Sequence, residues 1–268
     1  MNNPKISIVT VCYNAVDTIE ATLVSVINQT YANIEYIVID GGSKDGTCDI
    51  VKRHLDKISF FISEPDHGIY DAMNKGVLKA TGDYINFMNA GDSFYSDTVL
   101  SQVVPFLEKK TVVVYGKIMR ILKDCRFVGK IEHLEELANK DVIPHQAAFI
   151  RLDYQKNNLF DTSFKSSGDY KFFYDAFFRD HCSFQFINMI VANFDSEDNG
   201  MSRSNIFIGY KEDLKIKGIP YDSNRENEIN KQVNRQKIKR LIISVLPKPF
   251  FYVWRRYQLK KHGYEIII

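Results

Sequence analysis

Within the first hundred residues, short β-branched apolar runs alternate with segments patterned as helices, and polar loops separate them. Residues 5–12 (KISIVTVC) are apolar on both faces, the pattern of a buried parallel strand. Asn14 to Asp17 supply turn and cap chemistry, and residues 18–28 set Ile19, Leu23, Val26 and Ile27 on one side of a helix. Further strands are expected at 34–39, 58–63 and 83–88, with helices near 47–55 and 70–79. Alternation of this kind predicts an α/β fold: an open, mostly parallel sheet with helices on both faces. Ligands of such sheets bind beyond the carboxyl ends of the strands. Tyr13-Asn14, Asp40–Asp45, Glu64–His67 and Asn89–Asp92 all fall at those ends, so four polar clusters converge on one crevice.

From about residue 98 the rhythm changes. A helix at 98–109 leads to strands at 111–119 and 125–130, then to shorter pieces at 133–139 and 147–151, a helix at 169–178 and a strand at 184–194. Residues 1–216 read as one domain in two halves, 1–97 and 98–216. Residues 217–230 are polar, with Gly218 and Pro220, and read as a linker into a tail at 231–268. The 45% apolar and 25% charged content fits a globular chain and excludes disorder, collagen and coiled coil. The net charge of +2 conceals a split: residues 231–268 carry ten basic side chains and one acid (10 − 1 = +9), which leaves −7 for the body. No window approaches the roughly 18 apolar residues of a spanning helix, and the N-terminal residues lead into a strand rather than a secretory leader. Cys12, Cys48, Cys125 and Cys182 are far apart, without metal-ligand spacing, and are expected as reduced thiols.

The glycine-rich stretch at 41–46 invites a phosphate-binding reading, but no GxGxxG follows the first strand and no GxxxxGK[ST] occurs. Taken alone, the stretch is equally a plain turn. Its company decides. IVTVCYN (8–14), VIDGGSKDGT (38–47), EPDHGIYDAMNKG (64–76) and ATGDYINFMNAGD (80–92) occur in order, followed more sparsely by PHQAAF (144–149) and SSGDYKFF (166–173). Together these motifs resemble family 2 glycosyltransferases of the GT-A fold, nearest to small bacterial enzymes that build capsule, exopolysaccharide or lipopolysaccharide units.

The resemblance implies a donor site formed by Val11, Tyr13, Asn14, Asp40, Gly42, Ser43, Asp66, Lys75, Asn89 and Asp92. Tyr13 would stack on the base, with packing over the first turn as its alternative. The usual second acid at the base edge is replaced here by Gly41, so Asp40 is expected to offer the polar contact. Lys75 would reach ribose or phosphate, where relatives carry an arginine at the Met73 position; a solvated helix face is the alternative for Asp71 and Lys75. Asp92 matches the last position of the family's acidic metal motif, implying Mg2+ or Mn2+ against the diphosphate. The preceding positions are Asn89, Ala90 and Gly91, so one acid remains, and a helix cap is the other reading of Asp92. Asp169 matches the base that takes the acceptor hydroxyl's proton, or else serves as an N-terminal helix charge. His145 is read as a contact to acceptor or pyrophosphate, or as a core histidine. Asp198–Ser202 resembles a loop closing over the donor, with Gly200 as hinge.

The expected activity is inverting, metal-dependent transfer of a hexosyl or N-acetylhexosaminyl group from a nucleotide-diphosphate donor, UDP-sugar favoured. The acceptor would be a lipid-linked or other saccharide in surface polysaccharide biosynthesis. The other class kept open is a non-catalytic relative that binds nucleotide-sugar or glycan. Basic residues interleaved with LIISVL (241–246) and FFYVW (250–254) predict an amphipathic segment lying on an anionic membrane. The place of action would be the cytoplasm, at the inner face of the plasma membrane. Packing on the body or on another subunit, as in a homo-oligomer, is the alternative for the tail, and nucleic acid is not expected as a partner.

Overall fold

The computed structural model describes residues 3–129, 134–139, 143–195, 206–245 and 247–267. Strand β1 (Ile6–Cys12) is buried along its whole length. On one side of it run β2 (Ile34–Asp40) and then β3 (Phe60–Ser63); on the other runs β4 (Tyr84–Phe87), and all three pairings are parallel. The two faces of β1 are packed by different helices. Ile6 and Ile8 join the core beneath α1 (Ile19–Ile27) and α2 (Thr47–Lys52), while Val9 and Val11 join the core beneath α3 (Ile69–Lys79). Helices therefore cover both faces, as expected.

After β5 (Asp92–Phe94) and the short helix α4 (Val99–Val103), the expected parallel pattern gives way. Strand β6 (Val113–Ile121) turns tightly into β7 (Arg126–Val128), and a return through so short a turn has to be antiparallel. Strand β8 (Ala148–Arg151) lies antiparallel between β4 and β6. Helices α5 (Leu152–Asn157) and α6 (Gly168–Phe178) follow, and then β9 (Phe184–Asp195), which is parallel to β6 and antiparallel to β5. The parallel set is thus confined to β3-β2-β1-β4 and the β6/β9 pair.

The C-terminal region departs furthest from expectation. Helix α7 (Ile206–Ile216) ends at the Gly218 turn, but Ser223 already opens α8 (Ser223–Val245), so the second half of the expected linker is helical. Its first four turns are mostly polar, with Ile229 buried as an anchor, and its last turn is the apolar run 241–245. Helix α9 (Lys248–Lys261) leads to β10 (Glu265–Ile267), which pairs with β7 and completes the order β10-β7-β6-β8-β4-β1-β2-β3. Among the described residues, no helix is long and apolar enough to cross a membrane. The Asp198–Ser202 stretch lies outside the described residues.

Candidate active site

Three loops meet at the carboxyl ends of β1, β2 and β4. Asn14, with φ of 46°, stitches the first to the second: its N–H donates to Ser43 Oγ (2.8 Å), and its Oδ1 accepts from the Lys44 N–H (3.0 Å). Asp40 lies fully buried beneath the second loop. Its oxygens accept from the Gly42 and Ser43 N–H groups (3.0 and 2.9 Å), from the Ser43 and Ser63 hydroxyls (2.5 and 2.6 Å) and from the Cys48 thiol (3.2 Å). Burial alone would raise its pKa, but these donors hold it below the usual range. Asp40 is therefore the organiser of the loop formed by Gly42 and Ser43, and its oxygens are not turned to the crevice as expected.

Above Gly41, a different acid stands beside the Tyr13 ring. A Cβ placed on Gly41 would stand 2.4 Å from Asp66 Oδ2 and 3.3 Å from the Tyr13 ring, so carboxylate and ring share the space above Gly41. Asp66 Oδ1 accepts from the Gly68 N–H (2.8 Å), while Tyr13 is 65% exposed and offers an open aromatic face. The Val11 carbonyl is taken by the Ala90 N–H (3.0 Å), which zips the loop after β4 onto β1. Lys75, expected to reach ribose or phosphate, instead braces the turn before Asp66. Its ammonium meets Glu64 Oε1 (2.8 Å) and the Pro65 carbonyl (3.0 Å), and the Glu64 contact raises its pKa.

The loop after β4 carries Asn89 and Asp92, and the α1 residue Thr22 pins it by donating to the Asp92 carbonyl (2.7 Å) and accepting from the Gly91 N–H (3.1 Å). Burial pushes the Asp92 carboxyl up to about 7, against a hydrogen bond from Gln146 Nε2 (3.3 Å). Among the described residues no group of three or more His, Cys, Asp or Glu side chains is gathered as a metal cage. Asn89 Oδ1 on the same loop is nevertheless buried without a hydrogen-bond partner. A buried carboxylate and an orphaned amide oxygen, three positions apart, are hard oxygen donors that fit a divalent cation completed by phosphate oxygens and water.

Asp169 stands in the first turn of α6. Its Oδ1 accepts from the Tyr70 hydroxyl (2.9 Å) and the Tyr170 N–H (3.0 Å), and its Oδ2 from His145 Nδ1 (2.9 Å). His145 Nε2 in turn faces Asn89 Nδ2 at 3.1 Å, which makes Nδ1 the protonated ring nitrogen. Burial alone would raise the Asp169 pKa; the His145 hydrogen bond, with those of the Tyr70 hydroxyl and the Tyr170 N–H, brings it below the usual carboxylate value. Burial and the charge of Asp169 keep Tyr70 in its phenol form. Helix α6 reaches this position only because residue 168 is glycine, since a Cβ there would lie 2.7 Å from the Tyr70 ring. Glu212 of α7 secures the preceding turn by accepting from the Lys165, Ser166 and Ser167 N–H groups (2.6, 2.9 and 2.8 Å).

Asn89, Asp92, His145 and Asp169, named from sequence, are thus joined in one hydrogen-bonded chain. Tyr70 and Gln146 belong to it and were not singled out, although both lie inside the quoted motifs EPDHGIYDAMNKG and PHQAAF. Glu212 gave no signal at all.

The glycosyl transferase family 2 model matches residues 7–178 of this chain. An uncharacterized glycosyltransferase of Mycobacterium tuberculosis is 34% identical over 207 residues, covering 75% of this chain and 78% of that protein. A PGL/p-HBAD biosynthesis glycosyltransferase of Mycobacterium bovis is 30% identical over 210 residues, covering 76% and 81%. Among solved structures, Staphylococcus aureus TarS (residues 1–349, with UDP-GlcNAc) aligns with a TM-score of 0.64 at 17% identity, over 84% of this chain and 70% of that one. The mannosyltransferase PcManGT of Pyrobaculum calidifontis, with GDP-Man and Mn2+, aligns with a TM-score of 0.61 at 15% identity, over 77% and 61%. At these identities the likeness shows the fold, that of GT-A glycosyltransferases.

Proposed function

Because the chain belongs to glycosyl transferase family 2, we propose that it is an inverting transferase moving a hexosyl or N-acetylhexosaminyl group from a nucleotide-diphosphate sugar, UDP-linked by preference, to a lipid-linked saccharide of a surface glycan. Residues 1–97 form the donor half and 98–216 the acceptor half. The observation that carries this reading is the chain running from Asp169 through His145 to Asn89, with Gln146 tying Asp92 to the same segment. It couples a carboxylate suited to proton abstraction with the loop suited to a diphosphate.

In this reading the base of the donor stacks on Tyr13, and Asp66 Oδ2 takes the polar edge that Asp40 does not reach. Asp169 Oδ1 already receives two donors and Oδ2 one, so Oδ2 keeps the lone pair that accepts the proton of the acceptor hydroxyl. As that proton moves, the hydroxyl oxygen bonds the anomeric carbon from the face opposite the diphosphate, and the bond from carbon to phosphate oxygen breaks. The Nδ1–H of His145 keeps Oδ2 oriented and the carboxylate ionised. Mg2+ or Mn2+ held by Asp92 and Asn89 Oδ1 would offset the charge that develops on the leaving diphosphate. The work is placed at the cytoplasmic face of a membrane, where a lipid-linked acceptor resides.

A thermal-shift screen of UDP-, GDP-, CMP- and dTDP-sugars with and without Mn2+ identifies the donor, since a ligand of the native state must raise Tm. Transfer with the donor so found should fall by at least about a hundredfold in Asp169→Asn while the donor-induced shift remains. Unchanged transfer in that variant would remove Asp169 from the mechanism.

A further inference from the structure

Helix α9 carries its large apolar side chains outward. Phe250, Val253, Trp254 and Tyr257 are 73, 70, 40 and 61% exposed, and their i, i+3, i+4, i+7 spacing puts them on one face. Lys260 and Lys261, both exposed, continue that face by a turn. The opposite side turns two arginines inward. Arg255 and Arg256 both pair with Asp124, whose side chain is 3% exposed in the turn between β6 and β7, and the Arg256 guanidinium also donates to the Asp124 carbonyl. A helix that served only to cover the body would present the reverse arrangement.

The anchor point is related to the crevice by strand direction. Because β8 is antiparallel to both β4 and β6, β6 runs the same way as β1, and its carboxyl end points to the edge where the candidate active site lies. Asp92 pairs with Phe194 of β9, and Phe194 with Arg120 of β6, so Arg120 is two strands, about 10 Å, from Asp92. The Asp124 turn begins two residues later, within about 25 Å of Asp92 along the ladder.

We propose that the Phe250–Val253–Trp254–Tyr257 face of α9 is a membrane-insertion face. Its aromatic side chains enter the boundary between headgroups and acyl chains of an anionic bilayer, while Lys260 and Lys261 meet the lipid phosphates. The Arg255/Arg256–Asp124 pairing fixes how the crevice is held above that surface. The occupant is identified by chemistry: α9 holds five basic residues and no acid, residues 231–268 hold ten against one, and aromatic and basic side chains share the exposed surface. The docking rests on the helix itself; only its purpose, access to a lipid-linked acceptor, rests on the function proposed above.

Trp254 is the single tryptophan of the chain and so reports on this face directly. The full-length protein is mixed with phosphatidylcholine vesicles, with and without phosphatidylglycerol, and followed by flotation and tryptophan emission. With the anionic vesicles the protein should float, its emission should move to the blue, and brominated acyl chains should quench it. The double variant Phe250→Ser/Tyr257→Ser should bind them at least about tenfold more weakly at unchanged Tm. Failure of the wild-type chain to float, or quenching absent despite flotation, overturns the proposal without recourse to any variant. Concentration-dependent doubling of mass with the same blue shift, in the absence of vesicles, overturns it in favour of a second copy of the chain. A UDP-sugar thermal shift in the same samples tests the donor reading separately, so either can fail alone.

Discussion

At Asp169 the unequal occupation of the two oxygens depends on one phenol. Removing it in Tyr70→Phe leaves Oδ1 with a single full donor and takes away the hydroxyl proton that Oδ1 shares with the Ser166 carbonyl. Donors to the ionised form lower a carboxyl pKa, so their loss raises it. The acid limb of kcat/KM should therefore move to higher pH in this variant, with kcat about tenfold lower, as a pH–rate profile would reveal. A second prediction concerns Gly41. In Gly41→Ala the new methyl would stand 2.4 Å from Asp66 Oδ2 and must displace that carboxylate from the Tyr13 ring. Donor affinity by calorimetry should fall about tenfold, with Tm within a few degrees of wild type, because the yielding group is the free end of a side chain. Asp169, His145 and Tyr13 were legible in the sequence because each sits in a motif whose order and spacing carry meaning. The saturation of Asp40 and the proximity of Asp66 to Gly41 were not, since both arise from the packing of loops some 25 residues apart in the chain.

The elements that hold the crevice are themselves held at the opposite end of the sheet. Glu35, at the start of β2, accepts from the Ser7 hydroxyl (2.6 Å), the Thr81 hydroxyl and N–H (2.6 and 2.7 Å) and the Lys5 ammonium (2.9 Å). Burial works to raise its pKa, but the donors outweigh it and bring it from 4.5 down to about 2. A lowered folded value means a contribution present in full above pH 4.5 and lost as the pH falls toward 2, worth roughly 3 kcal/mol at neutral pH. Glu35→Gln should therefore destabilise the protein by about 2–3 kcal/mol in urea at pH 7, with the gap narrowing between pH 4.5 and 2. The long elements β1, α3, α6 and β9 could be read from periodicity because each buries one or both faces over several repeats. Strands β5, β7 and β10 are three residues each, too short to display alternation, and exist because a neighbouring strand offers a ladder.

On the scale of the whole molecule, the split into a body of −7 and a tail of +9 looked like an address joined to a catalyst by a linker. The structure makes the tail part of the sheet. β10 pairs with the otherwise open edge of β7, the Tyr264 ring meets Phe127 at 5.3 Å, and Arg255 and Arg256 neutralise the buried Asp124. Ending the chain after residue 246 would uncover the β7 edge and leave the Asp124 carboxylate buried without its arginines. Orphaning one partner of a buried ion pair costs about 3–5 kcal/mol, and an uncovered strand edge invites pairing between molecules. The truncated chain should therefore unfold in urea at a midpoint lowered by a corresponding amount and self-associate in light scattering, before any membrane is present. Asp124→Asn in the full chain separates the two contributions: it removes the charge pairing but keeps β10 on β7. That variant should lose stability while keeping the association state of the wild-type chain. The +9 segment then has two duties that can be measured apart, closing the sheet through Asp124 and β7, and presenting the outward face of α9.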